Sequence, residues 1–220
     1  MIKKISLLML LVFVCGICNA KLSPQKFFSV PETISVKLSP DAKYVAAIVN
    51  RDDAQVIEIQ DITSRKKTEI LDVKEFAKND AYIHSIDWID NQHIAAEYTE
   101  EKKGIMGLID TKHVSYLLVI KIPSSNNKSV EVKSVRTSGW LVSSLPKEKN
   151  VFLYARGGYA SAVYKIDVTK LNLHKEKIDK LTKRDGGQFT KKNQVISAGG
   201  RALRWFVDHT GYPQSVVYFD

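Results

Sequence analysis

The sequence predicts an all-β fold, a partial β-propeller of about three and a half four-stranded antiparallel blades. Short segments of alternating apolar and polar residues, each bounded by turn residues, recur along the chain. Asp61, Asp110 and Asp167 each end such a segment and are followed within two residues by a threonine. The spacing of these aspartates is close to the ~40 to 50 residues of one propeller blade, so the chain is expected to repeat one structural unit.

The first blade is predicted over residues 33–71. Residues 34–38 alternate apolar and polar and lead into the turn formed by Ser39, Pro40, Asp41 and Ala42. Residues 44–49 form an apolar run that suits a strand covered on both faces. Residues 56–61 alternate again, and the more polar residues 66–71 complete the sheet as an edge strand. Such a sheet needs copies of itself stacked alongside, because it cannot bury its own faces.

The second blade is predicted over residues 83–122, after a connection that contains one helical turn near residues 75–77. Its strands are expected at residues 83–88, 93–98 and 104–110, with residues 116–122 as the outer strand. Residues 93–98 match the position of residues 44–49 in the first blade.

The third blade is predicted over residues 138–181, with strands at 139–142, 150–154, 161–167 and 173–178. A helix is the alternative for the last of these segments, because Leu171, Ile178 and Leu181 would share a helix face.

The fourth blade is predicted over residues 202–220, with strands at 203–208 and 214–219 and a turn at 209–213. It is expected to lack at least its outer strand, which would leave an open edge and an exposed sheet face.

The N-terminus has the pattern of a secretory signal peptide over residues 1–20, followed by a lead-in segment over residues 21–32. Lys3 and Lys4 precede an apolar run, and Ala20 offers a small residue for cleavage. The predicted location is therefore periplasmic or secreted, with no transmembrane segment after cleavage. Both cysteines, Cys15 and Cys18, lie in the predicted signal peptide, so the mature chain is expected to have no thiol or disulfide.

The net charge of +9 does not by itself identify a partner. The lysines are scattered, mostly where turns are expected, which favours a solvated surface over a nucleic-acid patch. We predict no nucleic-acid partner, because the chain is expected to be exported.

We predict no catalytic, cofactor-binding or metal-ligating residue from the sequence, and no cofactor is expected. Asp208, His209 and Ser215 are triad residue types, but they are close in sequence at a predicted hairpin, where turn chemistry is the better interpretation. The remaining candidates are four histidines without ligand spacing, three glycine pairs interpreted as turns, and three tryptophans interpreted as core residues. They are His84, His93, His113 and His174; Gly157 with Gly158, Gly186 with Gly187, and Gly199 with Gly200; and Trp88, Trp140 and Trp205.

Four segments resemble the N-terminal propeller of prolyl oligopeptidase-family (S9) serine peptidases, chiefly exported bacterial dipeptidyl and acylaminoacyl peptidase-like members. They are residues 36–46, 85–95, 163–169 and 205–211, and the resemblance extends over about residues 27–220. It implies a propeller that precedes an α/β-hydrolase domain and limits the access of large substrates. No catalytic residue carries over, because the sequence contains no Gly-x-Ser-x-Gly elbow.

Two main functional hypotheses follow. In the first, the chain is the non-catalytic, exported N-terminal propeller portion of such a peptidase, shortened before its hydrolase domain. In the second, it is a free-standing exported protein-binding module that completes its propeller with a partner or by self-association. The expected partners are a hydrolase domain or further blades on another chain, or a peptide or protein ligand. An autonomous hydrolase ranks last, because no nucleophile with a base is visible.

Overall fold

The structure is a computed structural model that describes residues 32–51, 54–76, 80–102, 112–123, 130–145, 147–156, 161–171 and 187–218. The predicted signal peptide and all of the predicted lead-in segment except Glu32 lie outside these residues.

The first four strands form an antiparallel meander, sheet 1, as predicted for the first blade. Every strand pairs with its neighbours in the sequence, and residues 44–51 lie centrally, where neighbouring strands cover both edges. A single short helix follows where one helical turn was predicted. The elements are β1 (Thr33–Leu38), β2 (Tyr44–Arg51), β3 (Ala54–Asp61), β4 (Lys67–Asp72) and α1 (Val73–Phe76).

Short polar side chains fix the turns of sheet 1. The Ser39 hydroxyl donates to Asp41 Oδ1 (2.8 Å) and accepts from the backbone N–H groups of Lys43 (3.1 Å) and Tyr44 (2.9 Å). Asp61 Oδ1 accepts from the backbone N–H of Ser64 at 2.7 Å. These contacts confirm that the residues after β1 and β3 turn the chain through side chain to backbone hydrogen bonds.

Sheet 2 differs from the prediction in its outer strand, and residues 104–110, predicted as its third strand, lie outside the described residues. Residues 116–122 were expected to form the outer strand, and this was wrong. They belong largely to the third strand, which pairs with a strand on each side. Leu117 and Leu118 point to opposite faces and are both buried, so the run is apolar because neighbouring sheets cover both faces. The strands are β5 (Ala81–Trp88), β6 (His93–Lys102), β7 (Lys112–Lys121) and β8 (Glu131–Arg136).

Sheet 3 has three strands where they were predicted and a fourth farther along the chain. The segment 173–178, predicted as its outer strand, lies outside the described residues. Residues 194–197 instead form the outer strand and pair with the third strand. The elements are β9 (Gly139–Ser143), β10 (Val151–Arg156), β11 (Ala162–Asp167), β12 (Gln194–Ser197) and two 3₁₀-helices, Val168–Lys170 and Lys191–Asn193.

Sheet 4 is the two-stranded hairpin that the sequence predicted near residue 202. It consists of β13 (Ala202–Val207) and β14 (Pro213–Tyr218). Gly211 has φ of +89°, a backbone conformation that glycine adopts without the steric cost of a Cβ atom. The predicted turn between the two strands is therefore confirmed.

The four sheets stack face to face through three separate apolar clusters. Ile48, Ile57 and Trp88 belong to the cluster between sheets 1 and 2. Leu117 and Phe152 belong to the cluster between sheets 2 and 3. The third cluster lies between sheets 3 and 4 and includes the buried residues Leu153, Val163 and Trp205. Burial of these apolar side chains is the main contribution to the stability of the stack.

The first strands lie side by side, since β5 contacts β1 and β13 contacts β9. Three four-stranded sheets and one two-stranded sheet, all antiparallel, therefore have the arrangement of a partial propeller, and the predicted fold class is confirmed. Among the described residues, no helix is long and apolar enough to cross a membrane.

Candidate functional site

The candidate triad residues lie in the hairpin of sheet 4. The Asp208 carboxylate accepts hydrogen bonds from within the turn. Asp208 Oδ1 accepts from the Thr210 hydroxyl (2.6 Å) and backbone N–H (2.8 Å) and from the Tyr212 N–H (3.2 Å). These hydrogen bonds hold the pKa of Asp208 below its usual value, and the bond from the Thr210 hydroxyl has the largest effect. His209 is exposed, and Ser215 lies on β14 opposite Phe206. The prediction of turn chemistry for Asp208 and His209 is confirmed.

The described candidates His84, His93 and His113 each contact a different local partner. His93 Nδ1 lies 2.9 Å from Asp90 Oδ2 and fixes the β5–β6 turn. His84 Nε2 lies 2.7 Å from the Thr99 hydroxyl, and His113 Nδ1 lies 4.0 Å from Glu101 Oε1. Within the described ranges no cluster of three or more potential ligands could hold a metal ion. His174 lies outside those ranges.

The tryptophans are packing residues. Trp88 and Trp205 are buried in the clusters on either side of the stack, and Trp140 is partly buried against the cluster between sheets 3 and 4. This confirms the core interpretation for all three. Their positions differ in one respect: Trp88 Nε1 donates to the Lys37 carbonyl oxygen at 3.0 Å, whereas Trp205 Nε1 has no hydrogen-bond partner among the described residues.

Of the glycine pairs, the structure describes Gly187, Gly199 and Gly200. Gly187 has φ of +71°, as in a turn. Gly199 and Gly200 form the connection from β12 to β13, where the Gly200 carbonyl accepts from the Ser161 N–H at 3.1 Å. The turn interpretation holds for these residues, and the other members of the pairs lie outside the described chain.

A series of polar contacts links the first strands of sheets 1, 2 and 3. Lys37 Nζ lies 3.0 Å from Asp87 Oδ2 and joins β1 to β5. On the other side of β5, the Ser85 hydroxyl donates to Glu97 Oε2 at 3.0 Å. The backbone N–H of Leu141 on β9 also donates to the Glu97 carboxylate. Glu97 therefore bridges sheets 2 and 3.

Burial raises the pKa of the Glu97 carboxyl from 4.5 to about 7. The nearby negative charge of Asp87 adds to this rise, while the hydrogen bonds from Ser85 and Leu141 oppose it. Glu97 was not among the residues predicted from the sequence. The available signal was its position, because it stands in residues 93–98 where the matching run of the first blade has Ile48.

A second polar group ties sheet 4 to sheet 3. Lys165 Nζ lies 2.6 Å from Glu148 Oε2, and the Tyr212 hydroxyl donates to Glu148 Oε1 at 2.7 Å. These contacts lower the pKa of Glu148 below its usual value, and the hydrogen bond from Lys165 has the largest effect. A carboxylate therefore bridges sheets at this joint too.

A cavity of about 480 Å³ opens where the β1–β2, β5–β6 and β9–β10 turns meet. Its walls include the apolar side chains of Pro40 and Ile89. The polar part of the described lining consists of Asp90, Asn91, Gln92, Ser144, Glu148, Lys149 and Asn150. Burial alone would raise the pKa of Asp90, but hydrogen bonds from His93 and the Gln92 N–H bring it below its usual value.

The described lining of this cavity is rich in side chains that form hydrogen bonds. Carboxamides of Asn91, Gln92 and Asn150 can both donate and accept hydrogen bonds. The Ser144 hydroxyl is present, but no histidine is among the described lining residues that could act as its base. The cavity is the candidate functional site. The Glu97 carboxyl is a separate titratable group beside the first strands.

No family model matches the sequence, and no curated protein matches it. Three solved structures are similar in part. An acylaminoacyl peptidase in complex with Z-Gly-Gly-Phe-chloromethyl ketone is 14% identical with a TM-score of 0.46, over 67% of this chain and 26% of that chain. The Pyrococcus horikoshii acylaminoacyl peptidase is 13% identical with a TM-score of 0.44, over 66% and 25%. The isopeptidase AtxE2 is 10% identical with a TM-score of 0.27, over 66% and 34%. The match spans a quarter to a third of those chains.

Proposed function

We propose that this chain is the N-terminal, non-catalytic propeller portion of an exported prolyl oligopeptidase-like serine peptidase. The observation that carries the proposal is the stack of sheets with their first strands side by side, in a chain whose segments 36–46, 85–95, 163–169 and 205–211 resemble that propeller. A propeller of this kind supplies a wall around a channel and not the reacting groups.

The non-catalytic role is supported by the surroundings of the hydroxyl groups. Within the described part of the chain, the histidine that contacts a hydroxyl is His84, whose partner is Thr99. Thr99 is only 5% exposed and also contacts the Ser115 hydroxyl at 3.1 Å. A substrate carbonyl needs access to the nucleophile, and this hydroxyl does not offer it. The Gly-x-Ser-x-Gly elbow is also absent from the sequence.

In this proposal the cavity at the turns contacts polypeptide substrates on their way to a hydrolase domain. The peptide backbone presents alternating donors and acceptors, which the carboxamides of Asn91, Gln92 and Asn150 match. The signal-like residues 1–20 would direct the polypeptide out of the cytoplasm.

The test combines labelling with identification of the native polypeptide. The 220-residue chain, expressed alone, is expected not to react with a serine-directed fluorophosphonate. An antibody against this chain is expected to recover, from the exported fraction of the source cells, a longer polypeptide that does react and that contains a Gly-x-Ser-x-Gly elbow. Labelling of the isolated chain would contradict the non-catalytic role. Recovery of an unreactive protein of this length would contradict the link to a peptidase.

A further inference from the structure

A second cavity, of about 540 Å³, opens at the end of sheet 3 where β11 ends and β12 begins. Its described lining includes Lys165 and Asp167 of β11 and one lysine from each of the two 3₁₀-helices, Lys170 and Lys192. We call it the basic cavity. Lys192 is distant in sequence from the other two lysines, so only folding brings these three charges to one cavity.

Hydrogen bonds fix the wall of the basic cavity. Gln188 is only 4% exposed, and its Oε1 accepts from the Asp167 N–H at 3.3 Å. The Gln188 carbonyl accepts from Asn193 Nδ2 at 2.9 Å. These two bonds tie the segment 187–195 to the end of β11. The lysines on the two sides of the cavity are therefore positioned before any ligand enters, which lowers the cost of binding one.

The carboxylate of Asp167 is already engaged by its neighbours. Asp167 Oδ1 accepts from the Thr169 hydroxyl (2.6 Å) and from the Thr169 N–H (2.9 Å). Asp167 Oδ2 lies 2.9 Å from Lys170 Nζ. Among the described lining residues no other carboxylate accompanies Asp167. The lining therefore carries an excess of positive charge.

Lys165 and Lys192 keep donors that a ligand can use. Lys165 Nζ lies 2.6 Å from Glu148 Oε2 and 3.4 Å from the Tyr212 hydroxyl. An ammonium group has three N–H donors, so one remains for the cavity. The hydrogen bond to Glu148 raises the pKa of Lys165 above its usual value, so this group stays charged. Lys192 is exposed and forms no ion pair within the described part of the chain.

One part of the basic cavity is apolar. Val151 and Val195 belong to its lining, and Val195 is 38% exposed. The volume lies within the ~300 to 1,000 Å³ of small-molecule sites. A ligand larger than a bare inorganic ion can therefore place a charged group among the lysines and an apolar part against the valines.

We propose that the basic cavity binds an organic anion, whose carboxylate or phosphate group contacts Lys165 and Lys192 while its apolar part lies against Val195. Ammonium groups bind both kinds of oxyanion through charge-assisted hydrogen bonds. Glu148 lines the cavity at the turns and its partner Lys165 lines the basic cavity, so the two sites are neighbours. The basic cavity is nevertheless a separate site, and anion binding there requires no link to a peptidase.

Binding is measured on the purified 220-residue chain by isothermal titration calorimetry with probes that share a phenyl ring. Phenyl phosphate and phenylacetate carry the two anionic groups, and benzyl alcohol is the neutral control. The chain is expected to bind at least one of the anions with a Kd of about 1 mM or below, and benzyl alcohol at least about tenfold more weakly. The anion that binds more tightly identifies the group that the site prefers.

Charge-neutral variants locate the binding. Lys192→Gln is expected to weaken it about tenfold, as for the loss of one charge-assisted hydrogen bond. Lys165→Gln is expected to do the same, and its amide can still donate to Glu148. Lys121→Gln is the matched control, because Lys121 is an exposed residue of β7 outside the described lining. It removes the same charge and is expected to bind like the wild type.

Loss of affinity in Lys192→Gln and Lys165→Gln but not in Lys121→Gln would support the proposal. Absence of binding by both anions would overturn it, as would benzyl alcohol binding as tightly as they do. An equal affinity in all variants, or an equal loss in Lys121→Gln, would show a response to net charge alone and would also overturn it. Circular dichroism checks the fold of each variant, and the exposed Lys192 carries the test if Lys165→Gln does not fold.

Discussion

Replacing Glu97 by glutamine tests the bridge between sheets 2 and 3. Glutamine keeps the shape of the side chain and an oxygen that can accept from Ser85 and from the Leu141 N–H, but it cannot ionise. The negative charge that is lost lies close to Asp87 and to the buried Tyr154 hydroxyl. The comparison therefore isolates the cost of the carboxylate charge in this position.

The size of the effect follows from the pKa of Glu97, which is about 7 in the folded chain and 4.5 as its ordinary value. The folded state holds the proton over a range in which the unfolded state has released it, so the contribution of Glu97 to stability falls as the pH rises. The contribution is complete below pH 4.5 and is lost through pH 7. The free energy of unfolding of the wild type, relative to Glu97→Gln, is expected to fall by about 3 kcal/mol between pH 4.5 and pH 8.

The assay is urea unfolding followed by circular dichroism at a fixed protein concentration and at five values between pH 4.5 and pH 8.5. Glu69→Gln, at an exposed position of β4, is the control and is expected to follow the wild type. A constant difference between wild type and Glu97→Gln across this range would refute the reasoning. A difference that grows in favour of the wild type at high pH would show that the ionised carboxylate is stabilised instead.

Two further predictions concern the packing of the stack. Trp88→Phe is expected to lower the free energy of unfolding by about 1 to 3 kcal/mol more than Trp205→Phe. Only the first change leaves the Lys37 carbonyl without its indole donor. Equal losses in chemical denaturation would contradict this. Gly139→Ala is expected to destabilise the chain by about 3 kcal/mol, because a Cβ atom there would overlap the Ala155 carbonyl, and an unchanged melting temperature would show that β9 and β10 can separate.

Local turns were predictable because their hydrogen bonds span only a few residues. The Ser39 hydroxyl meets the Lys43 and Tyr44 N–H groups, and the Asp167 carboxylate meets the Thr169 N–H at 2.9 Å. Short polar side chains at these points compete for the backbone in almost any fold. The same reasoning located the hairpin of sheet 4 and its Asp208 turn.

Strand order was less predictable because alternation does not say which strands pair. Residues 116–122 look like one more strand after 104–110, and no local pattern indicates that residues 131–136 form the outer strand instead. Burial of Leu117 and Leu118 on opposite faces depends on sheets 1 and 3, which are distant in sequence. The Glu97 bridge has the same origin, because its partner Leu141 belongs to another sheet.

The all-β class, the repeat of four-stranded units and most turns could be predicted from the amino-acid sequence, since these depend on alternation and on short-range hydrogen bonds. The sequence contains no Gly-x-Ser-x-Gly pentapeptide. The central position of β7, the place of Glu97 between two sheets with a raised pKa, and the exposure of the Val36 and Phe206 side chains became visible in the folded chain. Burial is set by the neighbouring sheet, and a residue's own sequence context does not specify that neighbour.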